Sequence, residues 1–191
     1  MILTDREIQI ALRRQAILIK PEPADDLYSS TSVDLTLDQT LTIFNEPTEG
    51  LDIIIDPTKK KTDTEKLIKG LTTRITITDE GYVMKPGKLI LGYSKEYIDL
   101  RNDTKYAARV EGKSSLARLG LSVHNTAPTI HAGFDGCIRL EMVNHGAVPI
   151  RLRVGMPICQ LIFEQTLGTP AKGYGEHGGQ FSGQVPDESG Q

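Results

Sequence analysis

Two short stretches concentrate the side chains able to do chemistry. The first is Lys113-Ser114-Ser115-Leu116-Ala117-Arg118, entered through Gly112. Serine caps helices well, so a short helical turn is expected to begin here. On that turn Ser114 and Arg118 stand at i, i+4 and share a face. Free amides at a helix N-terminus, serine hydroxyls and two cations together make a cradle for a polyphosphate. The same spacing fits a capped surface helix with a solvated arginine equally well. The second stretch is Ile138-Arg139-Leu140-Glu141-Met142-Val143. Ile138, Leu140 and Met142 point one way along a strand and Glu141 points the other, toward solvent or a neighbouring subunit. A carboxylate in a partly desolvated pocket can shuttle protons. On an open strand face it is only a polar surface residue. In the turn before that strand, His131 reads by type alone as polar surface and Phe134 as core.

Other chemistries lack their motifs. There is no HxE with PCxxC and no HExxH, so zinc-activated water is not expected. The GxxxxGK[ST] phosphate loop and the GxSxG nucleophile elbow are absent. The two cysteines, Cys137 and Cys159, are too few for a disulfide framework or a four-ligand zinc site.

The elements that must position these residues read as mostly strands. Alternation is clear in Val33, Leu35 and Leu37, in Ile75 and Ile77, in Ile138, Leu140 and Met142, and in Ile150, Leu152 and Val154. Such period-2 runs mark half-buried strands. Pro86-Gly87, Gly112, Gly133, Gly136, Gly146 and Gly155 punctuate them, which suggests a sandwich or closed barrel. One short helix is expected at the start, where Thr4 and Glu7 form a capping box and Ile8, Ala11 and Leu12 make a narrow apolar face. Residues 45–70 break the pattern with Pro47, Gly50, Pro57 and Lys59-Lys60-Lys61, and read as an exposed excursion. The tail from Gly168 holds 7 of the 18 glycines, so it needs something to cover before it orders.

The 191 residues favour one domain, 1–167, followed by that tail, 168–191. A net charge of −3 argues against a duplex-binding surface. No apolar run is long enough to span a membrane, and the charged start MILTDREIQ lacks a signal-peptide core. A reduced, cytoplasmic protein is expected, with no nucleic-acid or membrane partner.

The stretches VEGKSSLARLGLSVHNTA, IHAGFDGCIRLEMVN and PIRLRVGMPICQLIF resemble the dCTP deaminases of the trimeric dUTPase-like superfamily. MILTDREIQIAL and SSTSVDLTL resemble that family's N-terminal region. The resemblance implies a mainly β fold, a distorted β-barrel or jelly-roll with a short N-terminal helix. It further implies a homotrimer with active sites at subunit interfaces. By position, Ser114, Ser115 and Arg118 belong to the substrate-binding block, with Lys113 where arginine is commoner. Asn125, Thr126 and Ala127 resemble the loop that reads the base edge, and Glu141 matches the general acid and base. Phe134 matches the aromatic under the deoxyribose. Tyr174 and Gln184 match tail residues that close over the nucleotide, and Arg139 is counted with the substrate-binding residues.

The implied reaction is dCTP + H₂O → dUTP + NH₃ without zinc. Magnesium rides on the triphosphate, and Ser114 with the backbone around Ala127 holds the water. Two departures stand out: His131 replaces a usual aspartate, and Gln180, before Phe181, replaces a usual lysine. Both weaken dUTP hydrolysis more than deamination. The alternatives are a dUTP diphosphatase, a bifunctional deaminase–diphosphatase, or a nucleotide-binding trimer without catalysis.

Overall fold

The computed structural model describes residues 1–46, 54–56, 64–101, 103, 105–171, 174 and 183–186. Helix α1 (Asp5–Arg13) starts where the capping pattern predicts, with the Thr4 hydroxyl accepting from the Glu7 N–H at 3.4 Å. Ile8 and Ala11 are buried beneath it, and Leu12 packs half-buried against the same core. Two more α-helices follow among the described residues, α2 (Thr64–Leu71) and α3 (Ser114–Ala117), with one 3₁₀ turn at Asp25–Leu27. No helix of the described residues is long and apolar enough to cross a membrane.

The rest is strand. In chain order these are β1 (Leu18–Lys20), β2 (Tyr28–Ser29), β3 (Ser32–Thr36), β4 (Thr40–Phe44), β5 (Thr72–Thr76), β6 (Tyr82–Met84) and β7 (Leu89–Asp99). Then come β8 (Tyr106–Gly112), β9 (Leu121–Ser122), β10 (Thr129–Ile130), β11 (Asp135–Asn144), β12 (Ile150–Leu152) and β13 (Pro157–Gln165). One sheet runs β5-β4-β7-β11-β9, with β1 also on β7; the other runs β10-β8-β13-β3-β2, and β12 pairs β6. A Leu37–Ser94 bridge ties the two large sheets together. Leu35, Leu37, Leu41, Ile98, Leu140, Leu161 and Phe163 are wholly buried in one continuous core fed by both sheets. Each such side chain contributes about 1.5–3 kcal/mol by leaving water.

Three local expectations are corrected. β3 is buried along its whole length, not on alternate residues. Its polar residues face partners rather than solvent: Thr36 donates from N–H and hydroxyl to the Glu96 carboxylate at 2.8 and 2.6 Å, and Asp34 pairs with Lys113. Buried polar groups persist when they are paired in this way. Val154 does not continue β12; the strand ends at Leu152, and Val154 is 47% exposed beside the Gly155 turn. The excursion also holds structure: Ile54 and Ile55 are exposed as expected, but its last residues wind into α2 and lead into β5. Ile53 and Lys59–Lys61 lie outside the described residues.

Candidate functional site

Glu141 owes its position to β11. Its strand neighbours Leu140 and Met142 are fully buried, while Arg139, Glu141 and Val143 are only half-buried on the opposite face. Against β7 the register places Glu141 opposite Leu91 and Arg139 opposite Tyr93, and it shifts between Cys137 and Arg139. Such a bulge re-aims side chains. It would orphan the Ile138 amide, which donates instead to the Ser94 hydroxyl at 2.8 Å; that hydroxyl donates on to Glu96 C=O.

The face carrying Glu141 borders a cavity of about 400 Å³. That is the size of small-ligand sites in general. Its walls are Val110, His124, Ala127, Thr129, Ile130, His131, Phe134, Ile138, Arg139, Glu141, Tyr174 and Gln184. Most of the wall's surface is apolar, and polar groups of His124, Thr129, His131, Arg139, Glu141 and Gln184 converge on it. The Asn125 N–H donates to Glu141 Oε2 at 3.4 Å, so the loop Asn125-Thr126-Ala127 holds the carboxylate from the side. Thr126 has φ +67°, a left-handed conformation that a β-branched residue adopts only under constraint. The constraint comes from just beyond it, where the Val110 N–H donates to Pro128 C=O at 2.8 Å and β10 pairs β8.

The described tail residues form the other side. The Tyr174 N–H donates to Ala132 C=O at 3.2 Å. Its ring stacks on His131, with centroids 5.4 Å apart at 19°, and tilts against Phe134 at 6.1 Å. Gln184 runs parallel beside Gly136: its carbonyl accepts from the Cys137 N–H at 2.8 Å, and the Gly183 N–H donates to Asp135 C=O at 2.8 Å. Gly136 adopts φ +141°, and a Cβ there would sit 3.0 Å from the Gln184 carbonyl oxygen, so the tail approaches this closely only over glycine. Behind it the Tyr97 hydroxyl donates to Asp135 Oδ2 at 2.8 Å. Burial first, then that bond, pushes the Tyr97 pKa up to about 12.

The sequence-predicted residues thus divide. Glu141, Ala127, His131, Phe134, Arg139, Tyr174 and Gln184 meet in one cavity, with Asn125 bonded to it and Thr126 in the same loop. Ser114, Ser115 and Arg118 do not join them; the serines lie exposed on α3 and Arg118 exposed at its C-cap. The expected serine cap is corrected as well. Lys113 occupies the N-cap without a side-chain bond, and Ser114 is the first helical residue. Lys113 is no free cation either, because its ammonium is turned inward onto Asp34. Arg139 is held by Glu65 of α2, both carboxylate oxygens lying 2.8 Å from Nη1. Gln180 lies outside the described residues, as does Phe181.

His124 was missed. It stands immediately before the Asn125 loop and lines the cavity, with Nε2 3.8 Å from Glu111 and a buried Nδ1 that has no partner among the described residues. Its adjacency to that loop was the one signal for it. Neither cysteine lines the cavity: both are buried, and burial pushes the Cys137 thiol up to about 11.

A two-sheet β fold with an apolar-walled cavity, one carboxylate on its wall and tail residues across it defines a small-ligand site of enzyme type. The chain belongs to the dCTP deaminase-like family, whose model matches residues 2–166. It is 36% identical over 188 residues to the "dCTP deaminase, dUMP-forming" of Pseudarthrobacter chlorophenolicus, covering 96% of this chain and 91% of that protein. It is 37% identical over 177 residues to the "dCTP deaminase" of Marinomonas sp., covering 91% and 88%. It is 40% identical over 173 residues to the "dCTP deaminase, dUMP-forming" of Tropheryma whipplei, covering 90% and 81%. Among solved structures, the 2'-deoxycytidine 5'-triphosphate deaminase of Agrobacterium tumefaciens superposes with TM-score 0.65 at 20% identity. That match covers 86% of this chain, which spans about half (48%) of that one, and it shows the fold. The mainly β architecture expected from the sequence is the one found.

Proposed function

We propose that this protein is a dCTP deaminase that hydrolyses dCTP to dUTP and ammonia, with Glu141 as general acid and base and without zinc. The observation that carries the reading is Glu141 itself, a carboxylate on the wall of a nucleotide-sized cavity, bonded by a backbone amide of the adjoining loop. In the mechanism Glu141 takes a proton from water as the oxygen bonds to C4 of cytosine. It delivers that proton to N3, then carries the proton of the new C4 hydroxyl to the amine; the C4–N bond breaks as C4=O forms, and ammonia leaves. Positioned proton transfer contributes about 10²–10⁴-fold, and orientation and fixed dipoles supply the rest. The loop at Ala127, with the Ser114 hydroxyl of a neighbouring subunit, holds the water.

The site is completed in a homotrimer. Ser114, Ser115 and Arg118 are exposed and absent from their own chain's cavity, which supports their serving the phosphates in a neighbour's. Magnesium enters with the triphosphate as part of the substrate, keeping most of its waters. The zinc-free reading is supported by the donor set, since both thiols are buried away from the cavity. The tail from Gly168 closes over the bound nucleotide through Tyr174 and Gln184, and Phe134 supports the sugar.

The test is ammonia release from dCTP, with pyrophosphate followed in parallel. Glu141→Gln keeps nucleotide binding and loses deamination about 10²–10⁴-fold; substantial residual ammonia release removes Glu141 from the mechanism. A second reading, dCTP to dUMP, is favoured by the relatives named dUMP-forming. Against it stands His131, an imidazole stacked on Tyr174 where the reading needs a carboxylate base. Pyrophosphate released in step with ammonia establishes the second reading. Tight dCTP binding with neither product leaves a binding protein.

A further inference from the structure

Arg139 is the one described side chain that borders both the candidate cavity and a second cavity, of about 500 Å³, between α2 and the sheet. It leaves β11 on the same face as Glu141, two residues and therefore about 6.6 Å away along the strand. The side chain is only 13% exposed, and its guanidinium lies over the Tyr93 ring, 5.6 Å from the centroid. Its Nη1 donates to both oxygens of Glu65, while its buried Nε has no protein partner among the described residues. A cation so nearly enclosed depends on its counter-charge. Glu65 supplies it from α2, a helix with no fully buried residue of its own. The helix therefore has little apolar hold on the sheet beyond its covalent run into β5; Leu71 C=O accepts from the Asn45 N–H at 2.9 Å, and the ion pair ties the helix to β11.

We propose that Glu65 is a positioning residue for the nucleotide site: through Arg139 it makes α2 part of the wall, so that docking of α2 and binding of the pyrimidine nucleotide favour each other. The inference rests on the cavity being the nucleotide site. With Glu65 in place the guanidinium is fixed on Tyr93, its charge is balanced and Nε is left to meet an acceptor on the ligand. With Glu65 gone the guanidinium is no longer fixed on Tyr93, and its Nε is no longer held where the ligand can meet it.

Because binding couplings are reciprocal, the nucleotide must also hold the helix. The experiment is hydrogen–deuterium exchange on the full chain carrying Glu141→Gln, so that dCTP is not consumed. With dCTP, exchange slows in residues 64–71 as well as in 138–142. Adding Glu65→Gln abolishes the slowing at 64–71 and leaves it at 138–142. In the otherwise native enzyme, Glu65→Gln raises KM for dCTP about tenfold, within the usual range of couplings, and leaves kcat within about twofold. Protection of 138–142 with 64–71 indifferent to dCTP overturns the proposal, as does a fall in kcat at unchanged KM. Protection of neither segment overturns the nucleotide reading of the cavity, and this inference falls with it.

Discussion

Replacing Gly120 by alanine tests how α3 is seated. Gly120 follows that helix at φ +97°, and a Cβ there would lie 2.3 Å from the backbone nitrogen of Gly146 and 2.6 Å from its Cα. The approach is mutual, since a Cβ on Gly146 would sit 2.6 Å from Leu119 O. The crossing is pinned: His145 N–H donates to Gly120 C=O at 2.7 Å, and the fully buried Asn144 accepts from Gly146 N–H at 2.9 Å. Neither obstructing atom is the tip of a flexible side chain, so the two segments must separate. A left-handed alanine costs about 1–2 kcal/mol. Forcing packed backbone apart adds about 1–3 kcal/mol. The total of about 2–5 kcal/mol corresponds, at this chain length, to a fall in Tm of roughly 4–20 °C. Gly87 is the control: its φ is +71°, but a Cβ there meets nothing within 4 Å, so Gly87→Ala carries only the conformational part. Urea unfolding followed by circular dichroism reads both variants. Equal losses in the two would refute the contact argument, and an unchanged midpoint for Gly120→Ala would refute the whole of it.

Two further outcomes follow from the site and its surroundings. Tyr174→Ala removes the ring against His131 and Phe134, so dCTP affinity falls about tenfold, as expected for losing about 0.5–1.5 kcal/mol of aromatic contact together with apolar cover; calorimetric binding unchanged from the native chain would contradict this. Asp99 accepts from Arg101 N–H, Nε and Nη2 at 2.9, 3.0 and 2.7 Å, and the Arg101 side-chain bonds above all hold its carboxyl below the usual range. The folded form therefore binds that proton less readily than the unfolded form. The stabilisation is present above the unfolded pKa, about 3.9, and is lost as pH falls below it toward the lowered folded value. Asp99→Asn should be less stable than the native chain at pH 7, and the gap should close in acid; urea midpoints measured from pH 7 to pH 3 that keep a constant gap would show that the pair does not act this way.

What the sequence determined by itself was local. The Thr4–Glu7 cap set the start of α1, and period-2 alternation set the faces of β11, including the side on which Glu141 emerges. These depend on neighbours within a few residues, and such neighbours are visible in a linear chain. The resemblance carried by the KSSLAR and GCIRLE stretches added most of the cavity's residues.

Tertiary structure decided the partners. Lys113 and Arg139 are both cations in suggestive motifs, yet each is bound to an acid far along the chain, 79 and 74 residues away. Asp34 and Thr36 occupy the polar positions of an alternating strand and are nevertheless buried, because Lys113 and Glu96 meet them across the fold. His124 enters the cavity only because β8 and β10 fold its loop over Glu141. Alternation reports which way a side chain leaves the backbone. Whether it then meets water, a counter-charge or a ligand depends on which distant segment closes over it, and that is fixed only when the sheets pack.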